Sequence, residues 1–179
     1  MTQIIDLTLP LYAGMPVYPG DPEIEIEQLQ TLEKNGWNMK RIHINGHDGT
    51  HVNVPKHCKN DGKTLDNYGV QNFCGECVIY ETLEDIQSDQ GVIFKQKITM
   101  DLAQVIVKKR PPFIGLSSEF EIDEDVEKNL LKNDIICFER LANTENLPKN
   151  FFFHGAPLKI KEGDGSPIRA YAVVNFPFT

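Results

Sequence analysis

The sequence predicts a mixed α/β fold in which short strands outnumber helices. Runs rich in β-branched and aromatic residues predict strands at 4–9, 24–29, 37–44, 78–80, 113–116, 135–138, 151–153 and 170–174. Two other segments, 99–108 and 123–133, carry apolar residues at helical spacing. Because helices and strands are interspersed, we expect helices packed on a mixed sheet, whose strand order the pattern does not give.

Both predicted helices have recognisable first turns. Thr99 can cap the first helix with its hydroxyl, and Leu102 and Ile106 share the apolar face that follows. The second helix begins with acidic residues, which complement the positive end of the helix dipole. Val126 and Leu130 supply its core-facing side.

Length and charge exclude several classes of protein. A chain of 179 residues fits one domain, 1–179, with a sizeable core. A net charge of −8 without a basic run predicts no nucleic-acid partner, because phosphate would be repelled. No apolar stretch approaches the roughly 20 residues that span a bilayer. The first residues lack the basic start and long apolar run of a secretory signal, so we expect a cytoplasmic protein.

Cysteine spacing gives one motif, the CxxC formed by Cys74 and Cys77, among four cysteines in all. A tetrahedral zinc site needs four ligands, and no second CxxC or CxxH follows. We therefore expect ordinary thiols at a turn that leads into a strand, rather than a zinc or redox site.

Four of the five histidines lie between positions 43 and 57. Imidazole is both a common metal ligand and a proton carrier near neutral pH. In an extended segment His51, Asn53 and His57 would point to one side, because even spacing keeps side chains on one face. A Gly-Thr turn would bring His47 back towards them. This pattern predicts a metal and base cluster; the alternative is a set of surface or core histidines beside a turn.

The remaining two histidines carry weaker expectations. His43 precedes the cluster across a turn and is not expected to be a ligand. His154 lies in an apolar run, where it is either a hydrogen-bonded core residue or part of a pocket wall.

The segment HDGTHVNVPKH, residues 47–57, resembles the motif HxGTHxDxPxH of the cyclase family, which includes kynurenine formamidase and isatin hydrolase. The resemblance extends to both ends of the chain. It covers IIDLTLPLYAGMPVYPGDP at 4–22, PPFIGLSSEFEI at 111–122 and ENLPKNFFFHGAPLKIKEGDGSPIRAYAVV at 145–174.

The resemblance implies an α/β domain of the mixed-sheet swivelling β/β/α kind, assembled as a homodimer or homotetramer. It also implies a hydrolase that uses zinc or manganese to activate water against a C–N bond of a small amide, formamide or lactam. By match, His57 is the general acid and base. The metal ligands fall on His47, His51, Asn53, Glu127 and Glu139.

Two of these positions depart from the family pattern. Asn53 stands where the family has aspartate, and Glu127 where it has histidine. A neutral amide ligates only through its oxygen and bridges two cations poorly. The set still holds two carboxylates, and replacing nitrogen by oxygen shifts the preference towards manganese, magnesium or a single cation. The chain is also shorter before the FIGL strand, which alters one pocket wall.

A catalytically silent relative that binds a small molecule or a protein is the main alternative. The neutral side chain of Asn53, where the family has a charged aspartate, favours this alternative. The retained His47, His51, His57 and Glu139 favour a hydrolase instead.

Overall fold

The computed structural model describes residues 2–175, which form a large mixed sheet, a separate hairpin and three helices. The strands are β1 Gln3–Asp6, β2 Glu25–Gln30, β3 Met39–His43, β4 His51–Asn53, β5 Cys74–Ile79, β6 Gly91–Phe94, β7 Phe113–Ser117, β8 Ile136–Leu141, β9 Asn150–His154, β10 Gly165–Pro167 and β11 Tyr171–Val174. The helices are α1 Leu32–Asn35, α2 Met100–Lys109 and α3 Glu124–Lys132. The predicted mixed α/β class is confirmed.

The main sheet has nine strands in the order β1-β11-β9-β5-β6-β7-β8-β4-β10. Strands β5 to β8 run parallel at its centre, and the other pairings are antiparallel. The short strand β4, which carries part of the histidine motif, lies between β8 and β10. This arrangement places the motif beside chain segments that are remote in sequence.

Each face of the sheet buries its own apolar core. Helices α2 and α3 cover one face, where Leu102, Ile106 and Leu130 pack against side chains from the central strands. On the other face, Phe113, Phe138 and Phe153 pack together with ring centroids 4.8 to 5.4 Å apart. This phenylalanine cluster packs against one face of the sheet at strand β8. The packing holds in place the backbone that carries Glu139.

Both helix predictions are confirmed in position. The hydroxyl of Thr99 accepts a hydrogen bond from the Leu102 backbone N–H at 3.3 Å, as a cap should. Helix α2 ends at Arg110, whose φ of 56° lies in the left-handed region. Helix α3 carries Glu124, Asp125 and Glu127 in its first turn.

The prediction that His51, Asn53 and His57 share one extended strand is wrong. Strand β4 ends at Asn53, and Pro55–His57 forms a 3₁₀ turn. Pro55 has no N–H to continue a ladder, and the His57 N–H donates to the Val54 carbonyl at 2.9 Å. His57 is therefore presented by a turn, not by the strand.

The strand predicted at 37–44 is present as β3, but it lies outside the main sheet. Strand β3 pairs with β2 in a two-stranded sheet, and every residue of β3 is exposed. Ile42 is 56% exposed and Ile44 is 38% exposed. With Leu29, Leu32, Trp37 and Met39 also exposed, this hairpin displays an apolar surface.

Cys74 and Cys77 do not form a common site. They lie three residues apart on strand β5, so their side chains point to opposite faces. Cys77 is buried in the core, and burial raises the pKa of its thiol well above the ordinary value. Both are free thiols.

We expect Asp85→Ala to lower the free energy of unfolding by about 1–3 kcal/mol at pH 7. The Asp85 carboxylate accepts hydrogen bonds from the backbone N–H groups of Glu81 and Thr82, both at 2.8 Å, and pairs with Lys149 at 2.9 Å. Burial raises the pKa of Asp85, but these contacts outweigh burial and hold it below the ordinary value.

Because its folded pKa is depressed, Asp85 stabilises the fold above its unfolded pKa, and this contribution is lost as the pH falls through the folded value. Urea denaturation at pH 7 and at acidic pH tests this prediction. Asp85→Asn, which keeps a capping oxygen but removes the charge, is the control. Equal acid sensitivity in wild type and both variants would contradict it.

Candidate functional site

The first part of the motif is a tight turn fixed by Thr50. Gly49 has a φ of 61°, in the left-handed region that favours glycine. The Thr50 hydroxyl accepts from the Leu9 N–H at 2.9 Å and donates to the Arg140 carbonyl at 2.7 Å. These bonds tie the motif to the amino-terminal segment and to β8, and the turn brings His47 back beside β4.

Strand β4 is buried throughout, and His51 and Asn53, 5% and 2% exposed, lie on the same side of it. The antiparallel pairing with β8 places His51 opposite Glu139. The His51 Nδ1–H donates to the Gly49 carbonyl at 2.9 Å, and the Nε2 atom lies 4.0 Å from Glu139 Oε1. Burial lowers the pKa of His51 to about 3, so the ring is neutral with a lone pair on Nε2.

Two glutamates meet at the Asn53 amide. Its nitrogen donates to Glu127 Oε1 at 2.6 Å and to Glu139 Oε1 at 2.7 Å. Glu127 reaches this point from α3, so its carboxylate is turned towards the motif rather than towards solvent. Burial and the neighbouring Glu127 carboxylate raise the pKa of Glu139 to about 8.

His47 lies at the outer edge of this cluster. Its Nδ1 is 2.8 Å from Asn53 Oδ1, and its ring centroid is 5.6 Å from that of His51. Gly165, on β10, leaves room for the ring: a Cβ atom there would overlap His47 Cε1 and lie 3.0 Å from the Val52 carbonyl oxygen.

His57 and Asp164 form the solvent-accessible rim. The ring centroids of His47 and His57 are 4.0 Å apart. Asp164 Oδ2 lies 3.1 Å from His47 Nε2 and 3.3 Å from His57 Nδ1. Burial raises the pKa of Asp164, but the contacts with the two histidines outweigh burial and lower it overall.

Asp164 was not predicted from the sequence as a site residue. It is 107 positions from His57, and only the pairing of β10 with β4 brings the two together. The one indication in the sequence was the GDGSP segment within the carboxyl-terminal resemblance.

The other two histidines lie outside the cluster. His43, on the exposed hairpin, is 3.4 Å from Glu27 and forms a surface group with Glu25. His154 stacks on Tyr171 with ring centroids 4.6 Å apart.

The donor set suits a divalent cation. The imidazoles of His47 and His51, the carboxylates of Glu127 and Glu139 and the amide of Asn53 are linked by short contacts and offer nitrogen and oxygen ligands. At the rim, donor atoms of His47, His57 and Asp164 all lie within 4.8 Å of one another, which is also close enough to hold a cation. Two half-buried carboxylates meet beside a neutral imidazole, and a cation would relieve the repulsion that helps to raise the pKa of Glu139.

This chain is similar to known proteins along nearly its whole length. An uncharacterized protein of Methanocaldococcus jannaschii is 29% identical over 195 residues, which cover 96% of this chain and 100% of the relative. Kynurenine formamidase of Erythrobacter litoralis is 24% identical over 200 residues, with 94% and 92% of the two chains covered.

Isatin hydrolase A of Labrenzia aggregata superposes with a TM-score of 0.83 at 20% identity, covering 98% of this chain and 94% of that one. This likeness confirms the cyclase-like swivelling β/β/α fold. The Cyclase family model matches residues 5–116, which include the whole histidine motif. With more than half of its length matched, this chain belongs to the Cyclase family.

Proposed function

We propose that this protein is a hydrolase of small amides, which acts on C–N bonds other than peptide bonds and uses one divalent cation, zinc or manganese. The observation that carries the proposal is the cluster of His51, Asn53, Glu127 and Glu139, in which His51 and Asn53 are buried and the Asn53 amide joins the two half-buried glutamates. His57 stands at its solvent-accessible rim. Relatives with this fold include a kynurenine formamidase and an isatin hydrolase, which supports a small-molecule substrate with a hydrolysable C–N bond.

The cation ligands in this proposal are His47, His51, Asn53, Glu127 and Glu139. When bound, the cation supplies the Lewis acidity that lowers the pKa of water and polarises a carbonyl. The neutral state of His51 supports its role, because a ligating imidazole must offer a lone pair. The Gly49 carbonyl fixes the tautomer in which that lone pair lies on Nε2.

His57 is the proposed general acid and base. Its side chain is 33% exposed, so it can exchange protons with solvent. Its Nδ1 faces the Asp164 carboxylate, which leaves Nε2 as the nitrogen for proton transfer. In this role His57 accepts a proton from the attacking water and delivers one to the leaving nitrogen.

A single cation is favoured by Asn53. The side-chain nitrogen of Asn53 faces both glutamates, and its neutral oxygen lacks the charge with which a carboxylate bridges two cations. The same observation favours the second candidate, a silent small-molecule binder, because the amide satisfies both glutamates without a cation.

We also propose a homodimer or homotetramer in the cytoplasm. The apolar surface of the β2–β3 hairpin, with Trp37 62% exposed, supports self-association. Four free cysteines support a reducing compartment. Among residues 2–175, no helix is long and apolar enough to cross a bilayer.

A turnover assay on chelator-stripped protein tests the proposal. N-formylkynurenine and isatin are supplied as substrates, with zinc, manganese or no added cation. We expect cation-dependent hydrolysis of at least one substrate, and its loss in His51→Ala. Binding of these compounds without turnover under any cation would support the silent binder instead.

Gly165→Ala is expected to lower kcat/KM by about 100-fold, because the added methyl group displaces His47 and a shift near 1 Å is costly at a reacting centre. Gly69→Ala is the matched control, since a Cβ there meets only the flexible amide of Gln71. The two variants are compared in the same assay and by thermal denaturation. Unchanged kcat/KM in Gly165→Ala would contradict the role of His47.

A further inference from the structure

Asp164 holds two site histidines with a single oxygen atom. Its Oδ2 lies 3.1 Å from His47 Nε2 and 3.3 Å from His57 Nδ1, although these residues are 117 and 107 positions away in the sequence. The first histidine belongs to the proposed ligand set, and the second is the proposed acid and base. No other described carboxylate contacts both rings.

The surrounding backbone fixes the position of Asp164. Its carbonyl accepts the Val54 N–H at 3.1 Å, and the next residue, Gly165, pairs with Asn53 in the β10–β4 ladder. The carboxylate is therefore mounted on the sheet edge beside the motif. This anchoring does not depend on the side chain, so removing the charge should leave the fold intact.

The orientation of the His47 ring indicates how the Asp164 carboxylate affects it. His47 Nδ1 lies 2.8 Å from Asn53 Oδ1 and Nε2 lies 3.1 Å from Asp164 Oδ2, and because both oxygens only accept, each contact uses an N–H of the ring. The Nε2–H donates to Asp164, and Nδ1 is the nitrogen that His47 would offer to a cation in place of its contact with Asn53. A carboxylate that accepts from the second nitrogen of a ligating imidazole fixes the ring and makes the first nitrogen a stronger donor to the cation.

The contact between Asp164 and His57 fixes the tautomer of the His57 ring. Asp164 accepts only, so His57 must place a proton on Nδ1 to satisfy the contact. This tautomer leaves the Nε2 lone pair for proton transfer. The Asp164 carboxylate thus orients both His47, a proposed cation ligand, and His57, the proposed general acid and base.

We propose that Asp164 is a positioning residue that couples cation binding at His47 to proton transfer at His57. The inference rests on the proposed function and deepens it. Asp164 touches neither substrate nor cation in this scheme, and acts only through the two imidazoles.

Asp164→Asn tests the proposal with chelator competition for zinc and manganese, steady-state kinetics and thermal denaturation. Asp134→Asn is the matched control: Asp134 is also 48% exposed and ion-paired, with Lys63 at 3.4 Å. We expect Asp164→Asn to bind the cation about 10- to 100-fold more weakly, with full stoichiometry at saturation. With saturating cation, kcat should fall while KM stays unchanged, and Asp134→Asn should match wild type.

Three results for Asp164→Asn would overturn the proposal. Unchanged affinity and kcat would make Asp164 a solvated surface carboxylate. Complete loss of bound cation at saturation would make it a direct ligand, and loss of folding would make it a structural residue. A wild-type protein that binds no cation would remove the proposed function itself, and that outcome is visible before any variant is compared.

Discussion

Asn53→Asp is expected to destabilise the metal-free protein by about 3–5 kcal/mol, because it leaves a buried set of charges without compensation. The Asn53 amide nitrogen donates to Glu127 and Glu139 at 2.6 and 2.7 Å. A carboxylate in its place removes both hydrogen bonds and adds a further acidic group beside a pair whose mutual repulsion already raises the pKa of Glu139. Cation binding should reverse the loss, since a ligand that binds only the folded state stabilises it.

Chemical denaturation with chelator, zinc or manganese measures this effect, and metal analysis measures the stoichiometry. We expect the variant to bind cation more tightly than wild type and to accept a second one, because a carboxylate can bridge. Asn60→Asp, at an exposed position, is the control for added charge. Equal stability of wild type and Asn53→Asp in chelator would contradict the contacts assigned to Asn53.

His57→Gln is expected to lower kcat by about 10²- to 10⁴-fold while leaving the bound cation in place. Glutamine can still donate to Asp164, so the surroundings of residue 57 should be preserved, but its amide neither takes up nor releases a proton near neutral pH. Kinetics and metal content are measured on the same preparations, beside His51→Ala, which should lose both.

These two variants separate the proposed roles of the histidines. A His57→Gln protein that loses its cation would place His57 among the ligands. A His57→Gln protein with wild-type kcat would remove it from proton transfer.

Local features of the fold could be predicted from the sequence. The cap at Thr99 and the acidic first turn of α3 are encoded within a few residues, and the structure has both. The exposure of Ile42 could not be predicted, because the strand pattern at 37–44 does not show that β3 pairs only with β2. The turn at Pro55 was predictable from proline chemistry, yet the even spacing of polar residues favoured a strand.

The candidate site, too, could be predicted from the sequence only in part. His47, His51 and Asn53 lie within one motif, so the sequence places them together. Glu127 and Glu139 were reached only through the family resemblance, and their contact with Asn53 depends on how α3 and β8 pack. Asp164 depends on the β10–β4 pairing, which no local pattern encodes.

Cation stoichiometry of the purified wild-type protein tests the central claim most directly. Elemental mass spectrometry after equilibration with zinc or manganese is compared for wild type, His51→Ala and His43→Ala, the last of which disables the exposed surface group on the hairpin. We predict about one tightly bound ion per chain in wild type and in His43→Ala, and almost none in His51→Ala. Absence of bound cation in wild type, or its loss in His43→Ala but not in His51→Ala, would contradict the proposed metal centre.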